Sequence, residues 1–244
     1  MLKIVAIIPA RYAATRFPGK LMQLLGNTTV ISQTYKNTVA TGIFDEVLVA
    51  TDSAIIFDEI ISLGGNAIMS KKTHESGSDR IAEAIENIEA DVLINVQGDE
   101  PFIHPQSLKD LIQVFSSPEV KVASMMHEIH SNEDINNPNI VKVVVDKENF
   151  ALYFSRSVIP YNRNNDFPIT YQRHIGVYAY RKSMLLQFVQ WPLSVLEQIE
   201  KLEQLRYLEN GVKIKMVSTS FTGIGIDTPE DLEKAKAYIE KNKL

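Results

Sequence analysis

The sequence has no cysteine in 244 residues. Disulfides, thiolate zinc sites, iron–sulfur clusters and cysteine nucleophiles are therefore excluded, while carboxylate and histidine metal sites stay open. Excess positive charge is lacking too: 25 Lys and Arg stand against 30 Asp and Glu, a formal net charge of -5. A generic nucleic-acid binder or a polybasic membrane protein needs a cationic surface, so neither kind of partner is expected. Long apolar runs are also missing. The run 4–10 is followed at once by Arg11. It is too short for a secretory signal and far short of the roughly 20 residues of a transmembrane helix. The expectation is a soluble, cytoplasmic protein. There is no GxxxxGK[ST] loop, no GxGxxG after a strand, no GxSxG elbow and no HExxH pair, so four familiar routes to nucleotide or hydrolytic chemistry are closed.

What is present reads as α/β. A content of 45% hydrophobic and 23% charged residues is that of an ordinary globular protein. At about 150 residues per domain the length allows one or two domains. Apolar runs expected as strands at 4–9, 46–51, 67–69 and 92–96 alternate with helical patterns at 30–39, 54–63 and 79–88. This order predicts a Rossmann-like, doubly wound, mostly parallel sheet. The second half mixes expected strands (121–126, 141–145, 152–155, 175–180, 214–217) with expected helices (108–115, 183–189, 197–209, 229–242). For the last helix Thr228 is the expected N-cap, with Pro229 at the first helical position and Asp231 three residues on from the cap. No linker is visible, so 1–244 reads as one domain with a strand-rich subdomain.

Ligands of open α/β sheets bind beyond the carboxyl ends of the parallel strands. The unusual polar residues fall there. The first strand runs into Arg11, Arg16 and Lys20, three cations within ten residues of an acidic chain. That is a local anion site, with Arg as a bidentate donor and Lys as a point charge; the alternative is a solvated loop. The fourth strand ends in Gln97-Gly98-Asp99-Glu100-Pro101. An acidic pair in this place suits a divalent cation on substrate phosphates, or else an ordinary turn. Asp227, on its residue context alone, reads as a helix-entry residue. His174 reads either as a ligand contact or as a hydrogen-bonding residue at a strand start. Arg156 reads either as a carboxylate ligand or as part of a structural ion pair. Glu203, Gln204 and Arg206 read as a solvated helix face.

The stretch IPARYAATRFPGK (8–20) resembles the opening of the 3-deoxy-manno-octulosonate (Kdo) cytidylyltransferases. The similarity continues through VATD (49–52), SGSDR (76–80), NVQGDEP (95–101), HIGVYAYR (174–181), LEQLR (202–206) and GIDTPEDL (225–232). These blocks occur in order over nearly the whole chain.

The resemblance implies a nucleotide-diphospho-sugar transferase type of fold. Residues 1–118 would serve mainly CTP, and 119–244 mainly the sugar and a homodimer contact. It implies transfer of CMP from CTP to Kdo, with pyrophosphate released, activating Kdo for lipopolysaccharide biosynthesis. The anomeric hydroxyl would attack the α-phosphorus in line, with Mg²⁺ as cofactor.

By the same resemblance Arg11 and Lys20 neutralise the departing phosphates, joined by Arg16 in the CTP site, and Asp99 and Asp227 are the Mg²⁺ ligands. Ala10, Ser78 and Gln97 fall at cytidine positions, with Arg80 beside them. Arg156, His174, Tyr178, Glu203 and Gln204 fall at sugar positions. One departure is Ser78, where the family commonly has Thr; the hydroxyl is kept. An 8-amino-Kdo analogue or another 2-keto sugar acid such as sialic acid is the alternative acceptor. A non-catalytic nucleotide-binding module is the reading from another class.

Overall fold

The computed structural model describes residues 2–13, 17–74, 76–164, 168–221 and 223–242. The chain forms two compact units, Met1–Pro105 with Gly223–Leu244, and Gln106–Thr222.

The first unit is built on β1 (Ile4–Ala10). Val5, Ala6, Ile7 and Ile8 are all 0% exposed, which is why this strand reads as an unbroken apolar run rather than an alternating one. A short hairpin follows, β2 (Leu24–Leu25) and β3 (Thr28–Thr29), then α1 (Val30–Ala40), β4 (Glu46–Thr51), α2 (Ala54–Ser62), β5 (Ala67–Met69), α3 (Gly77–Ala84) and β6 (Val92–Asn95). β1 pairs in parallel with β4 on one side and β6 on the other, and β4 pairs in parallel with β5. The strand order is β6-β1-β4-β5. The chain thus moves outward from β1 to β5 and then returns to the far side of β1. The carboxyl ends of β1 and β6 flank this reversal, the place where open α/β sheets bind ligands.

The boundary nearest the end of the third strand moves. The helix expected at 79–88 is α3, Gly77–Ala84. The Ser76 hydroxyl accepts from the Asp79 amide at 3.1 Å, so the cap sits two residues earlier and Ser78 enters the first helical turn.

The second unit runs α4 (Pro105–Gln113), β7 (Val122–Ile129), α5 (Asn132–Asn136), β8 (Lys142–Val145), β9 (Ala151–Ser155), β10 (Tyr171–Arg181), α6 (Lys182–Phe188), α7 (Val195–Glu200), α8 (Leu205–Glu209) and β11 (Ile214–Ser218). It is strand-rich. β10 pairs antiparallel with β7 and β8, β8 pairs antiparallel with β9, and β11 lies parallel to β7. The β7–β10 register shifts between Ile175 and Tyr178. His174 lies inside β10, not at a strand start. The single helix expected at 197–209 is two, because Lys201 adopts a left-handed conformation (φ 54°) that ends α7.

The chain ends in α9 (Pro229–Asn242), packed in the first unit. The expected cap is present: Asp231 accepts from the Thr228 amide at 3.1 Å, and the Asp231 amide donates to the Thr228 hydroxyl at 3.3 Å. Phe102 meets Tyr238 of α9 edge-on at 4.6 Å. Among the described residues no helix is long and apolar enough to cross a membrane.

Candidate active site

In the first unit Ala10, Arg11, Lys20, Arg80, Gln97, Asp99 and Asp227 line one cavity of about 280 Å³. β1 delivers Ala10 and Arg11, and β6 delivers Gln97 and Asp99, to the reversal point. Gly98 lets the two strand ends close up. A Cβ there would lie 3.2 Å from the Pro9 carbonyl oxygen and 3.3 Å from Ile31. Gly19, at φ 67°, turns the loop after β1 into the short 3₁₀ helix that carries Lys20.

The Lys20 ammonium donates to Asp99 and, at 2.8 Å, to Asp227. Asp227 comes from a segment far away in sequence, joined to the β6 loop by the Ile226 amide donating to the Asp99 carbonyl at 2.9 Å. Burial pulls the Lys20 pKa down, but the charges and hydrogen bonds of the two aspartates outweigh it and hold it above the usual lysine value. Burial, with the charges of Asp99 and Asp227 added, pushes the neighbouring Glu100 carboxyl up to about 7. The expected acidic pair therefore divides: Asp99 meets the cation, and Glu100 is a carboxyl that burial and its two anionic neighbours make hard to ionise. Two hard carboxylates that already clasp one cation suit a divalent ion such as Mg²⁺. Among the described residues no group of three or more His, Cys, Asp or Glu is arranged to hold a metal. Mg²⁺ needs only one or two carboxylates when phosphate oxygens and waters complete its shell.

The other end of the cavity is held by Arg80. It is buried, and donates to the Ala10 carbonyl at 2.9 Å and to Asp52 at 2.7 Å. That hydrogen bond, with the Arg80 charge, lowers the Asp52 pKa against the opposing effect of burial. Arg80 thus fixes the end of β1. Ser78 is buried in the first turn of α3. Arg16 lies outside the described residues. Phe17, Leu21, His74 and Ser76 also line the cavity; the sequence places His74 and Ser76 in the polar stretch after the third strand but assigns a role to none of the four. His74 bonds Glu83 through Nε2. Its position in the loop after the third strand was the available signal.

The sugar-position candidates belong to the second unit. His174 lies 5.3 Å from the Tyr178 ring, Tyr178 stacks on Tyr180 at 5.7 Å, and Tyr180 meets Tyr207 at 6.1 Å. The Tyr207 hydroxyl and the Gln204 Nε2 are buried without a hydrogen-bond partner, and the buried Tyr178 hydroxyl faces Ser124. Burial, reinforced by neighbouring groups that include Glu203, raises both tyrosine pKa values well above normal. Burial, with the Arg173 charge behind it, pushes His174 down to about 3, so its imidazole is neutral. A neutral imidazole and unspent hydrogen-bonding groups beside the Glu203 carboxylate suit a polyhydroxylated ligand.

Two readings from residue context change. Gln204 and Arg206 are 6% and 7% exposed, so they are not a solvated face. Arg206 makes a two-point bond to Glu197, at 2.7 and 2.6 Å, and lies over the Phe188 ring at 4.3 Å. This pair ties α8 to α7 on either side of Glu203 and Gln204. Arg156 is committed to backbone: Nε donates to Glu200 O at 2.7 Å, with longer bonds to the carbonyls of Pro138 and Lys201. Its own carbonyl accepts from the buried Lys142, which also donates to Asn137 and Ile140 carbonyls.

A family model described as Cytidylyltransferase matches residues 5–214. The chain is similar to the 3-deoxy-manno-octulosonate cytidylyltransferase of Flavobacterium johnsoniae, at 60% identity over 98% of this chain and 99% of that protein. The protein of that name from Christiangramia forsetii is 56% identical, with 97% of each chain covered. A solved structure of CMP:2-keto-3-deoxy-manno-octonic acid synthetase complexed with CTP superposes with a TM-score of 0.94 at 41% identity, covering 98% of this chain and 99% of that one. At 17% identity and TM-score 0.65, covering 97% of this chain and 98% of that one, a 4-diphosphocytidyl-2C-methyl-D-erythritol synthase from Anaerococcus prevotii shares the fold. Family model, full-length identity and superposition agree: the chain belongs to the 3-deoxy-manno-octulosonate cytidylyltransferases.

Proposed function

We propose that this chain transfers CMP from CTP to 3-deoxy-manno-octulosonate, giving CMP-Kdo and pyrophosphate. The observation that carries the reading is the meeting of Lys20, Asp99 and Asp227 in the cavity at the β1/β6 reversal. The sugar's anomeric oxygen bonds to the α-phosphorus and its proton leaves. The bond from that phosphorus to the bridging oxygen breaks, and pyrophosphate departs with the electron pair. Such a transfer needs alignment and charge neutralisation rather than a covalent intermediate. Arg11 and Lys20 bind the β,γ-phosphates, and Lys20 exchanges its aspartate partners for phosphate oxygens. Asp99 and Asp227 would hold Mg²⁺, which supplies charge neutralisation at the phosphates when bound. Ala10, Ser78 and Gln97 receive the cytosine nucleoside, with Arg80 bracing Ala10.

His174, Tyr178, Glu203 and Gln204 receive the sugar, and the unpartnered buried polar atoms support that role. The backbone commitments of Arg156 point to a bracing part for it. The product is an activated sugar donor for lipopolysaccharide assembly, made in the cytoplasm. A homodimer through the second unit is the assembly that the family resemblance implies.

The test is pyrophosphate release with Kdo, 8-amino-Kdo and sialic acid, each against the four nucleoside triphosphates and with or without Mg²⁺. Release is expected with CTP, Kdo and Mg²⁺ together. A folded sample that releases none with any of the three sugars overturns the reading. Sedimentation of the same sample gives the oligomeric state.

A further inference from the structure

At the register shift between β7 and β10, pairing passes from Ile175 opposite Met125 to Tyr178 opposite Ser124. Gly176 and Val177 have no opposite residue in β7, the geometry of a bulge. Ser124, fully buried, fills it. Its Oγ lies 3.0 Å from the Ile175 carbonyl oxygen, 2.9 Å from the Val177 carbonyl oxygen and 3.0 Å from His174 Nε2, and the Tyr178 hydroxyl, able to donate to it, faces it as well.

A proton count decides the direction of these bonds. Carbonyls only accept, and a serine hydroxyl carries one proton. Were that proton given to the imidazole, both carbonyls would face oxygen lone pairs at hydrogen-bond distance with no proton between. With the proton on one carbonyl, only the other is left facing a lone pair, one such contact instead of two, and Nε2 must then bring its own proton. The ring keeps a single proton, since burial and the nearby Arg173 hold it neutral. Nδ1 is then a lone pair. The ring is also fixed edge-on to Phe154 at 5.2 Å.

We propose that Ser124 is a positioning residue that locks His174 as the Nε2–H tautomer, leaving Nδ1 to accept from a hydroxyl of the acceptor sugar. The sugar contact rests on the reading of His174 given above; the tautomer does not. A hydroxyl donor is favoured at this position, and a group that can only accept, such as a carboxylate, is rejected.

The test begins with ¹⁵N-edited NMR of the imidazoles in the wild-type protein, with His174→Gln identifying the His174 signals. The expected pattern is a protonated Nε2 and an unprotonated Nδ1. Ser124→Ala is expected to populate the other tautomer. It is also expected to raise the KM for Kdo about tenfold, the loss of one well-placed hydrogen bond, with the KM for CTP unchanged. Ser124→Thr, which restores a hydroxyl, is expected to recover the wild-type tautomer. A protonated Nδ1 in the wild type overturns the proposal, and so does a Ser124→Ala protein with unaltered tautomer and KM. If Ser124→Ala does not fold, the wild-type spectrum still decides the tautomer. If the wild type turns over no Kdo, the transfer reading fails and the spectrum still decides this inference.

Discussion

In the first unit Lys20, Asp99 and Asp227 leave 14%, 25% and 49% of their side chains exposed. In the second unit the Arg206–Glu197 pair leaves 8% and 10%. The first set is a group of charges with alternative partners within reach. The second is a closed pair with every strong bond already made, beneath a cluster of neutral polar groups that still lack partners. A polyphosphate is recognised by charges that can be exchanged; a sugar is recognised by hydrogen bonds in a place from which water has been removed. The Lys20 set therefore serves chemistry, and the Arg206–Glu197 pair serves architecture.

The largest effect that this contrast predicts is on turnover. Asp99→Asn keeps the shape of the side chain and removes one of the two charges. At saturating CTP, Kdo and Mg²⁺, kcat is expected to fall at least about a thousandfold, roughly 4 kcal/mol of transition-state stabilisation. The melting temperature should change little. A variant within tenfold of wild type would remove Asp99 from the chemistry.

The second effect is on stability in the other unit. Arg206→Met strips a buried carboxylate of its partner, at an expected cost of about 3 kcal/mol in urea unfolding. Adding Glu197→Leu should recover most of it, because no buried charge is then left unpaired. If the single variant costs under about 1 kcal/mol, the claim that this pair is architectural fails.

The third is a pH effect confined to the second unit. His174 titrates near 3 in the folded state against 6.5 for an ordinary histidine. Between those values the unfolded chain binds a proton that the native state refuses, so His174 makes stability decline as pH falls through that window. The slope is at most about 1.4 kcal/mol per pH unit. His174→Gln should flatten the profile there and leave it unchanged at neutral pH. Identical slopes would show that the imidazole is not held neutral.

The same contrast governs what could be read from the residues. The cation loop after β1 and the acidic turn after β6 are contiguous blocks at strand ends, where topology alone assigns a site. The joining of Asp227 to them follows from a backbone bond between Ile226 and Asp99, which no local pattern announces. In the second unit the pattern misled at 203–206. A helical period with charges implies a wet face, yet the left-handed Lys201 breaks the helix and turns Gln204 and Arg206 inward. Ser124 has no motif at all, since its part depends on a bulge in the opposite strand.

The smallest effect probes the first unit from the side of its cation. Lys20→Met leaves Asp99 and Asp227 side by side without the ammonium between them. Both carboxylates remain partly solvated, so water and salt screen their repulsion and the expected loss of stability is only about 1 kcal/mol. Without nucleotide, Mg²⁺ should then stabilise Lys20→Met more than it stabilises wild type, in which the ammonium competes for the same two carboxylates. The added stabilisation should appear as a rise in melting temperature of about 2–4 °C. Equal Mg²⁺ responses in the two proteins would mean that the aspartates do not form a cation site in the absence of nucleotide. A loss as large as that of Arg206→Met would mean that the Lys20 pair is architectural after all, and the contrast between the two units would collapse.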